Sequence, residues 1–163
     1  MARISPVTGH YVTIDVDGLE YKVFYLENGT GQPLVCQHTA GCHNHQWRDL
    51  LEDEEITANY RVIAYDLPRH GKSDPPENTA WWTEEYKLTA DHFANFIIAL
   101  CDALELENPI FMGSSFGGNI ALQLVYKNNW LTSSNNNQDT DTDYVNAITS
   151  MNTAMPDPGS GTS

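Results

Sequence analysis

Positive charge is scarce in this sequence. Eight Lys and Arg residues face 22 Asp and Glu, for a net charge of −14 and a pI near 4.5. Such a surface repels phosphate backbones and anionic lipid, which argues against nucleic-acid or membrane-surface binding. Long apolar runs are also missing: the longest, Phe96 to Cys101, is far too short to span a bilayer. Ser5-Pro6 and Thr8-Gly9-His10 interrupt any apolar segment behind the first residues, so no secretory leader is read there. Three cysteines, Cys36, Cys42 and Cys101, are too few and too scattered for a disulfide framework, and a reduced, cytoplasmic setting is expected. Histidine is absent after His92. What remains is 163 residues, 40% apolar: enough for one domain with a core, or one domain and a tail, but not two full domains.

Composition changes near Asn128. From 129 to 163 there are four acids (Asp139, Asp141, Asp143 and Asp157) and no Lys or Arg, so this stretch carries −4 and residues 1–128 carry −10. Asn, Ser, Thr, Gly and Pro dominate it. Such residues favour local side-chain-to-backbone hydrogen bonds and offer little to bury, which predicts a disordered, low-complexity tail. Within it only Tyr144-Val145-Asn146-Ala147-Ile148 has the make-up of a short strand or helical turn.

Residues 11–128 alternate between strand and helix signals. Val12, Ile14 and Val16 recur every second residue, Asp17-Gly18 reads as a turn, and Leu19, Tyr21, Val23 and Tyr25 alternate again, which predicts a hairpin. Pro33–Cys36, Val62–Tyr65 and Pro109–Met112 are short apolar runs of the kind buried parallel strands show. Trp47, Leu50 and Leu51 fit one face of a short helix, with Glu52 to Glu55 on its solvated side. Phe93, Phe96/Ile97, Leu100 and Leu104 make an apolar stripe that predicts a helix from about Thr89 to Leu106. Ile120, Ala121, Leu124 and Val125 share a face of a further helix. The pattern predicts an α/β fold with a mainly parallel sheet and an N-terminal hairpin.

Between the last predicted strand and the last helix lies Gly113-Ser114-Ser115-Phe116-Gly117, a G-x-S-x-G segment. A strand that turns abruptly into a helix forces its corner residue into strained geometry and projects that side chain from the carboxyl edge of the sheet. The elbow glycines Gly113 and Gly117, with Gly118, supply room where strand and helix pass. The helix start aims free amides and its dipole at charge forming beside Ser115.

With this segment in place, residues 11–128 resemble the first half of an α/β-hydrolase. His38-Thr39-Ala40-Gly41 is similar to that family's oxyanion-loop motif, with Thr39 where a Gly is usual. Trp47 sits where many relatives keep an aromatic. Asp66-Leu67-Pro68-Arg69-His70-Gly71-Lys72-Ser73 resembles the D-x-x-G-x-G-x-S turn, with Arg69 in place of its first Gly. The resemblance implies a truncated α/β-hydrolase fold that lacks the cap and final strands. It also implies Ser115 as catalytic nucleophile, the amides of Ala40 and Phe116 as oxyanion hole, and His38 and Thr39 as possible pocket residues. A serine rather than an aspartate points to acyl transfer or C–C hydrolysis, on a small-molecule substrate. The family's triad continues with an acid and then a histidine on later strands. Here no histidine follows Ser115, so the expectation is a fragment with little or no activity of its own. Two alternatives are a complementation or self-associating partner, acting through an edge left exposed at Ile110–Met112, and a non-catalytic binding module.

Other motifs lead nowhere. Gly71-Lys72-Ser73 lacks the first glycine of a phosphate loop, since position 66 is Asp. Cys36, His38, Cys42, His43 and His45 match no zinc spacing. Asp139-Thr140-Asp141-Thr142-Asp143 starts like a calcium loop, but Tyr144 and Ser150 stand where its Gly and bidentate acid belong. No metal or cofactor is expected. Trp81-Trp82 fits either a pocket border or a hydrophobic clasp over the sheet.

Overall fold

The computed structural model describes residues 4–83, 89–127 and 146–150. Strands β1 (Thr8–Val16) and β2 (Leu19–Asn28) form the expected hairpin, in register from Val16↔Leu19 to Thr8↔Glu27. Asp17 (φ 55°) and Gly18 (φ 79°) both take the left-handed conformation, the pair of dihedrals that matches the right-handed twist of a two-residue hairpin loop. Strands β3 (Gln32–Gln37), β4 (Tyr60–Tyr65), β5 (Ile110–Ser114) and β6 (Asn146–Ser150) complete a six-stranded sheet in the order β1-β2-β4-β3-β5-β6. Strands β4, β3, β5 and β6 run parallel, and β2 meets β4 antiparallel through Tyr25↔Tyr65 to Asn28↔Val62.

Strands β3, β4 and β5 are covered on both faces, which is why they read as continuous apolar runs rather than alternating ones. Val35, Ile63, Tyr65 and Phe111 face a larger core closed by α3 (Ala90–Ala103) and α4 (Phe116–Lys127). Leu34, Cys36, Val62 and Ala64 face a smaller one with Leu51 of α1 (Arg48–Glu52) and, at its margin, Ile56 of α2 (Glu54–Thr57). Burial pushes the thiols of Cys36 and Cys101 up to about 12, so both stay protonated and unreactive at neutral pH.

Three differences from the sequence pattern have local causes. Helix α3 starts where expected, with the Thr89 side chain accepting from the His92 amide at 3.2 Å, but it stops at Ala103 because Glu105 turns left-handed at φ 51°. Leu104 and Leu106 still pack on the core from beyond the helix. The single helix expected around Trp47 is divided into a 3-10 turn (Asn44–Trp47), α1 and α2. Asp53 breaks it: its backbone is extended, and its carboxylate accepts from the amides of Glu55 and Ile56, capping α2, while Glu52 to Glu55 are exposed as expected.

The third difference corrects the expected sheet edge. β5 is not exposed: β6 pairs with it from Ile110↔Asn146 to Ser114↔Ser150. This strand begins two residues into the stretch singled out within the tail, where Ile148 and Thr149 supply β-branched residues. The rest of the proposed disordered tail, and the calcium-like run 139–143, lie outside the described residues. Among the described residues, no helix is long and apolar enough to cross a membrane.

Candidate active site at the carboxyl edge of the sheet

Ser115 stands at the corner between β5 and α4, exposed, with φ 53°. A left-handed backbone at a residue bearing a Cβ costs about 1–2 kcal/mol and persists only where the surroundings enforce it. They do. A Cβ on Gly113 would lie 2.3 Å from the carbonyl carbon of Gly117 and 2.4 Å from its oxygen. A Cβ on Gly117 would lie 3.0 Å from the Gln37 carbonyl oxygen. At Gly113 only hydrogen fits, while at Gly117 a Cβ would press on the end of β3. The Ser115 carbonyl accepts from the amides of Gly118 (2.9 Å) and Asn119 (3.2 Å), closing the first turn of α4. The amides of Phe116 and Gly117 precede that turn, so the helix itself offers them no acceptor. The Phe116 ring packs edge-on against Phe93 of α3 at 5.0 Å, which anchors the start of the helix.

Register brings two loops to the same edge. Gln37 at the end of β3 is level with both Gly113 of β5 and Tyr65 at the end of β4. The segment His38–Gly41 therefore emerges beside the elbow, and Asp66–Ser73 emerges on its far side. Ala40 is exposed and Thr39 half-buried. Thr39 is not among the left-handed residues, so its β-branched side chain introduces no backbone strain where the family pattern has glycine. Arg69 differs. It holds φ 65°, the conformation the absent glycine would adopt freely, and its guanidinium lies 5.2 Å over the Trp81 ring. Trp82 is largely exposed, so only Trp81 is committed to packing in this way.

His38 is fully buried, and the structure gives it a bracing role rather than a place lining a pocket. The Leu67 amide donates to its Nε2 at 3.1 Å, so the proton resides on Nδ1, which donates to the Thr39 carbonyl at 2.8 Å. Neither nitrogen is left for a hydroxyl. Burial is the main cause holding its pKa below the ordinary 6.5, with the Thr39 hydrogen bond and Asp66 opposing and His70 adding to the depression. His70, whose ring centre is 5.1 Å from that of His38, places Nδ1 2.9 Å from the Pro68 carbonyl. His92 is elsewhere, with Nδ1 3.0 Å from Asp17 at the hairpin turn.

The sequence motif contains Asp66 but gives no hint of what it does. Its carboxylate is buried and accepts from the Asn44 amide at 2.6 Å and the Lys72 amide at 2.8 Å, tying the two loops together. A Cβ on Gly71 would fall 2.1 Å from that carboxylate, and this left-handed glycine is the one local signal that something must pack there. The Gln46 side chain completes the brace by accepting from the Thr39 amide at 2.9 Å. The cysteines and histidines considered as a metal cluster are spread apart in character: Cys36 and His38 are buried, Cys42 is exposed, and the His43 and His45 rings stack on each other at 6.0 Å. Among the described residues no three such side chains could hold a metal ion.

Comparison with known proteins gives a consistent picture. The chain is 32% identical over 118 residues to a 2-hydroxy-6-oxononadienedioate/2-hydroxy-6-oxononatrienedioate hydrolase of Burkholderia vietnamiensis, covering 71% of this chain and 38% of that protein. It is 30% identical over 122 residues to a haloalkane dehalogenase of Psychrobacter cryohalolentis, covering 73% of this chain and 38% of that one. The chain thus spans about two-fifths of the length of the curated relatives it matches. In structure it is similar to a thermophilic esterase from Thermogutta terrifontis, with a TM-score of 0.60 and 24% identity over 72% of this chain and 41% of that one. It is also similar to an epoxide hydrolase solved without ligand, with a TM-score of 0.60 and 26% identity over 76% of this chain and 38% of that one. The family model for the alpha/beta hydrolase fold matches residues 32–162, a span that takes in β6 and most of the stretch the sequence reading set apart as unlike the family. With that match over most of its length, the chain belongs to the alpha/beta hydrolase fold family.

Proposed function

We propose that this chain carries the nucleophile part of a serine hydrolase acting on esters or related carbonyl compounds, including C–C bonds beside a carbonyl. The observation that carries the reading is an exposed serine held at φ 53° where a buried parallel strand turns into a helix. Attack by the Ser115 hydroxyl on a carbonyl carbon would place the developing oxyanion near the start of α4. The amides of Phe116 and Ala40 are the proposed donors, each worth about 3 kcal/mol to such a transition state. A hydroxyl suits acyl transfer better than the displacement of halide, so the relative that is a hydrolase of hydroxy-oxo-diacids is the better guide to substrate class than the dehalogenase.

The reading includes a deficit. Among the described residues His38 has both nitrogens engaged, His70 turns Nδ1 to the Pro68 carbonyl and His92 lies at the hairpin turn, so on this reading the hydroxyl keeps an alcohol's acidity in this chain by itself and reacts slowly. Hydrolysis of a p-nitrophenyl ester by the chain alone should be slight, and a fluorophosphonate should label Ser115 slowly but above the background of Ser115→Ala. Turnover indifferent to Ser115→Ala, or labelling centred on Ser114, would refute the nucleophile assignment. Fast turnover abolished by Ser115→Ala would keep the nucleophile and remove the fragment reading.

One observation favours a second reading, in which another chain or copy completes the site. Among the described residues β6 pairs on one side only, with β5, so its outer edge is available for a further strand. A strictly monomeric protein in sedimentation would count against it. A non-catalytic binding role is left without support if a screen of small acids and esters produces no thermal shift.

A further inference from the structure

The imidazole of His38 is buried, and its two nitrogens bond in opposite senses to two different loops. Nε2 accepts from the Leu67 amide, on the loop after β4. Nδ1 donates to the carbonyl of Thr39, the residue next to Ala40, and that same carbonyl also accepts from the Cys42 amide at 3.2 Å. Only the neutral ring with its proton on Nδ1 satisfies both bonds. The other neutral tautomer would face the Thr39 carbonyl with a lone pair and the Leu67 amide with an N–H.

We propose that His38 is a positioning residue whose Nδ1–H tautomer holds the 38–42 loop against the 66–72 loop, and that a proton added at Nε2 releases the loop. The proposal deepens the reading above, since it rests on this loop carrying an oxyanion donor. A proton on Nε2 sets two donors 3.1 Å apart, where the Leu67 amide cannot reverse its role. One of the two loops must then give way. The Nδ1–H would still donate to the Thr39 carbonyl, and the Asp66 carboxylate would still hold the Asn44 and Lys72 amides, so what parts is the contact between the 38–42 loop and the Leu67 amide rather than the whole edge.

The titratable groups acting on His38 are His70, at 5.1 Å between ring centres, and Asp66 on the loop after β4, with His43 on its own loop. Asp66 favours the charged ring, while His70 and His43 oppose it, and burial, the largest influence, opposes it too. The sign follows. A histidine that binds its proton less readily folded than unfolded contributes stability above about pH 6.5, and that contribution is lost as the pH falls through the lower folded value.

The test is a nitrogen-15 spectrum of the imidazoles together with amide exchange of residues 39–42, expressed as protection factors so that the intrinsic pH dependence is divided out. At neutral pH the His38 proton should be on Nδ1. As the pH falls below about 6.5 and through the midpoint of the His38 resonance, protection of the Leu67 amide and of the loop should fall by ~10-fold or more. His38→Gln keeps an acceptor for the Leu67 amide and cannot titrate in this range, so its loop protection should be flat. A proton found on Nε2, an equal fall in His38→Gln, or a midpoint that departs from the His38 resonance would each overturn the proposal. Should His38→Gln fail to fold, His70→Asn decides: removing a like charge should raise the midpoint of loop and His38 together, and an unmoved midpoint overturns the assignment. Fluorophosphonate labelling of Ser115 followed over the same range separates the two readings. Its complete absence speaks against the nucleophile, whereas the exchange data judge His38 by themselves.

Discussion

Two of the places where this chain turns through left-handed residues, the hairpin tip and the elbow, are built on opposite principles. At the tip of the β1–β2 hairpin, Asp17 and Gly18 take φ 55° and 79°, and a Cβ placed on Gly18 would meet nothing within 4 Å. At the elbow, Ser115 takes φ 53°, while the two glycines that flank it are not left-handed at all. Gly113 is required because backbone lies 2.3 Å from where a Cβ would go, and at Gly117 a Cβ would be tight at 3.0 Å. The hairpin uses glycine for its dihedral freedom and leaves space around it. The elbow uses glycine for its lack of volume and leaves the left-handed dihedral to Ser115.

The largest effect that would break this comparison is expected from Gly113→Ala. The obstructing atoms are backbone of α4, not the end of a flexible side chain, so helix and strand must separate. Overpacking of this kind costs about 3 kcal/mol, and urea denaturation should show a midpoint lowered accordingly. A loss under about 1 kcal/mol would mean that the elbow is looser than its contacts indicate.

Next in size is Gly18→Ala. The space is open, so only the dihedral is at issue: a left-handed Ala costs about 1–2 kcal/mol, partly offset by about 0.4–1 kcal/mol from a stiffer unfolded chain. The net loss should be about 1 kcal/mol, read from the same denaturation curves, with no change in the β5–α4 region by amide exchange. A loss as large as that of Gly113→Ala would erase the distinction between the two turns.

What the sequence makes legible follows the same division between local and distant causes. The hairpin is visible because alternation and an Asp-Gly turn are properties of neighbours, and α3 is visible because its stripe and its Thr89 cap lie within one stretch. The elbow is visible because the requirement for small residues and a corner serine is compressed into Gly113–Gly117. The brace beneath it is not. Asp66 meets the Asn44 amide across 22 residues, and the Leu67 amide meets His38 across 29, so a motif can show these residues without showing what they hold. His38 is the instructive case: in sequence it resembles a pocket residue, yet burial and two fixed partners make it part of the frame. β6 reads only halfway, as a stretch at Tyr144–Ile148 fit for a short strand or a helical turn, for a different reason. Its five residues are surrounded by Asn, Ser, Thr and Asp, and the partner that gives them a reason to extend is β5, more than thirty residues earlier.

The smallest expected effect is the sharpest, because its sign is opposite to that of the others. Ser115→Gly removes a Cβ from a left-handed residue and so relieves about 1–2 kcal/mol of strain. Against this stands the greater freedom that glycine gives the unfolded chain, about 0.5–1 kcal/mol. Because Ser115 is exposed, little packing is lost with its side chain. The balance is a gain of about 0.5 kcal/mol, so a protein stripped of its proposed nucleophile should unfold at slightly higher urea and lose all fluorophosphonate labelling above background. The paired substitution Ser114→Gly, one position earlier and outside the left-handed region, lacks the strain to release and should only destabilise. If both glycine variants lose stability equally, Ser115 bears no special strain, and the corner is a turn like the one at Asp17–Gly18.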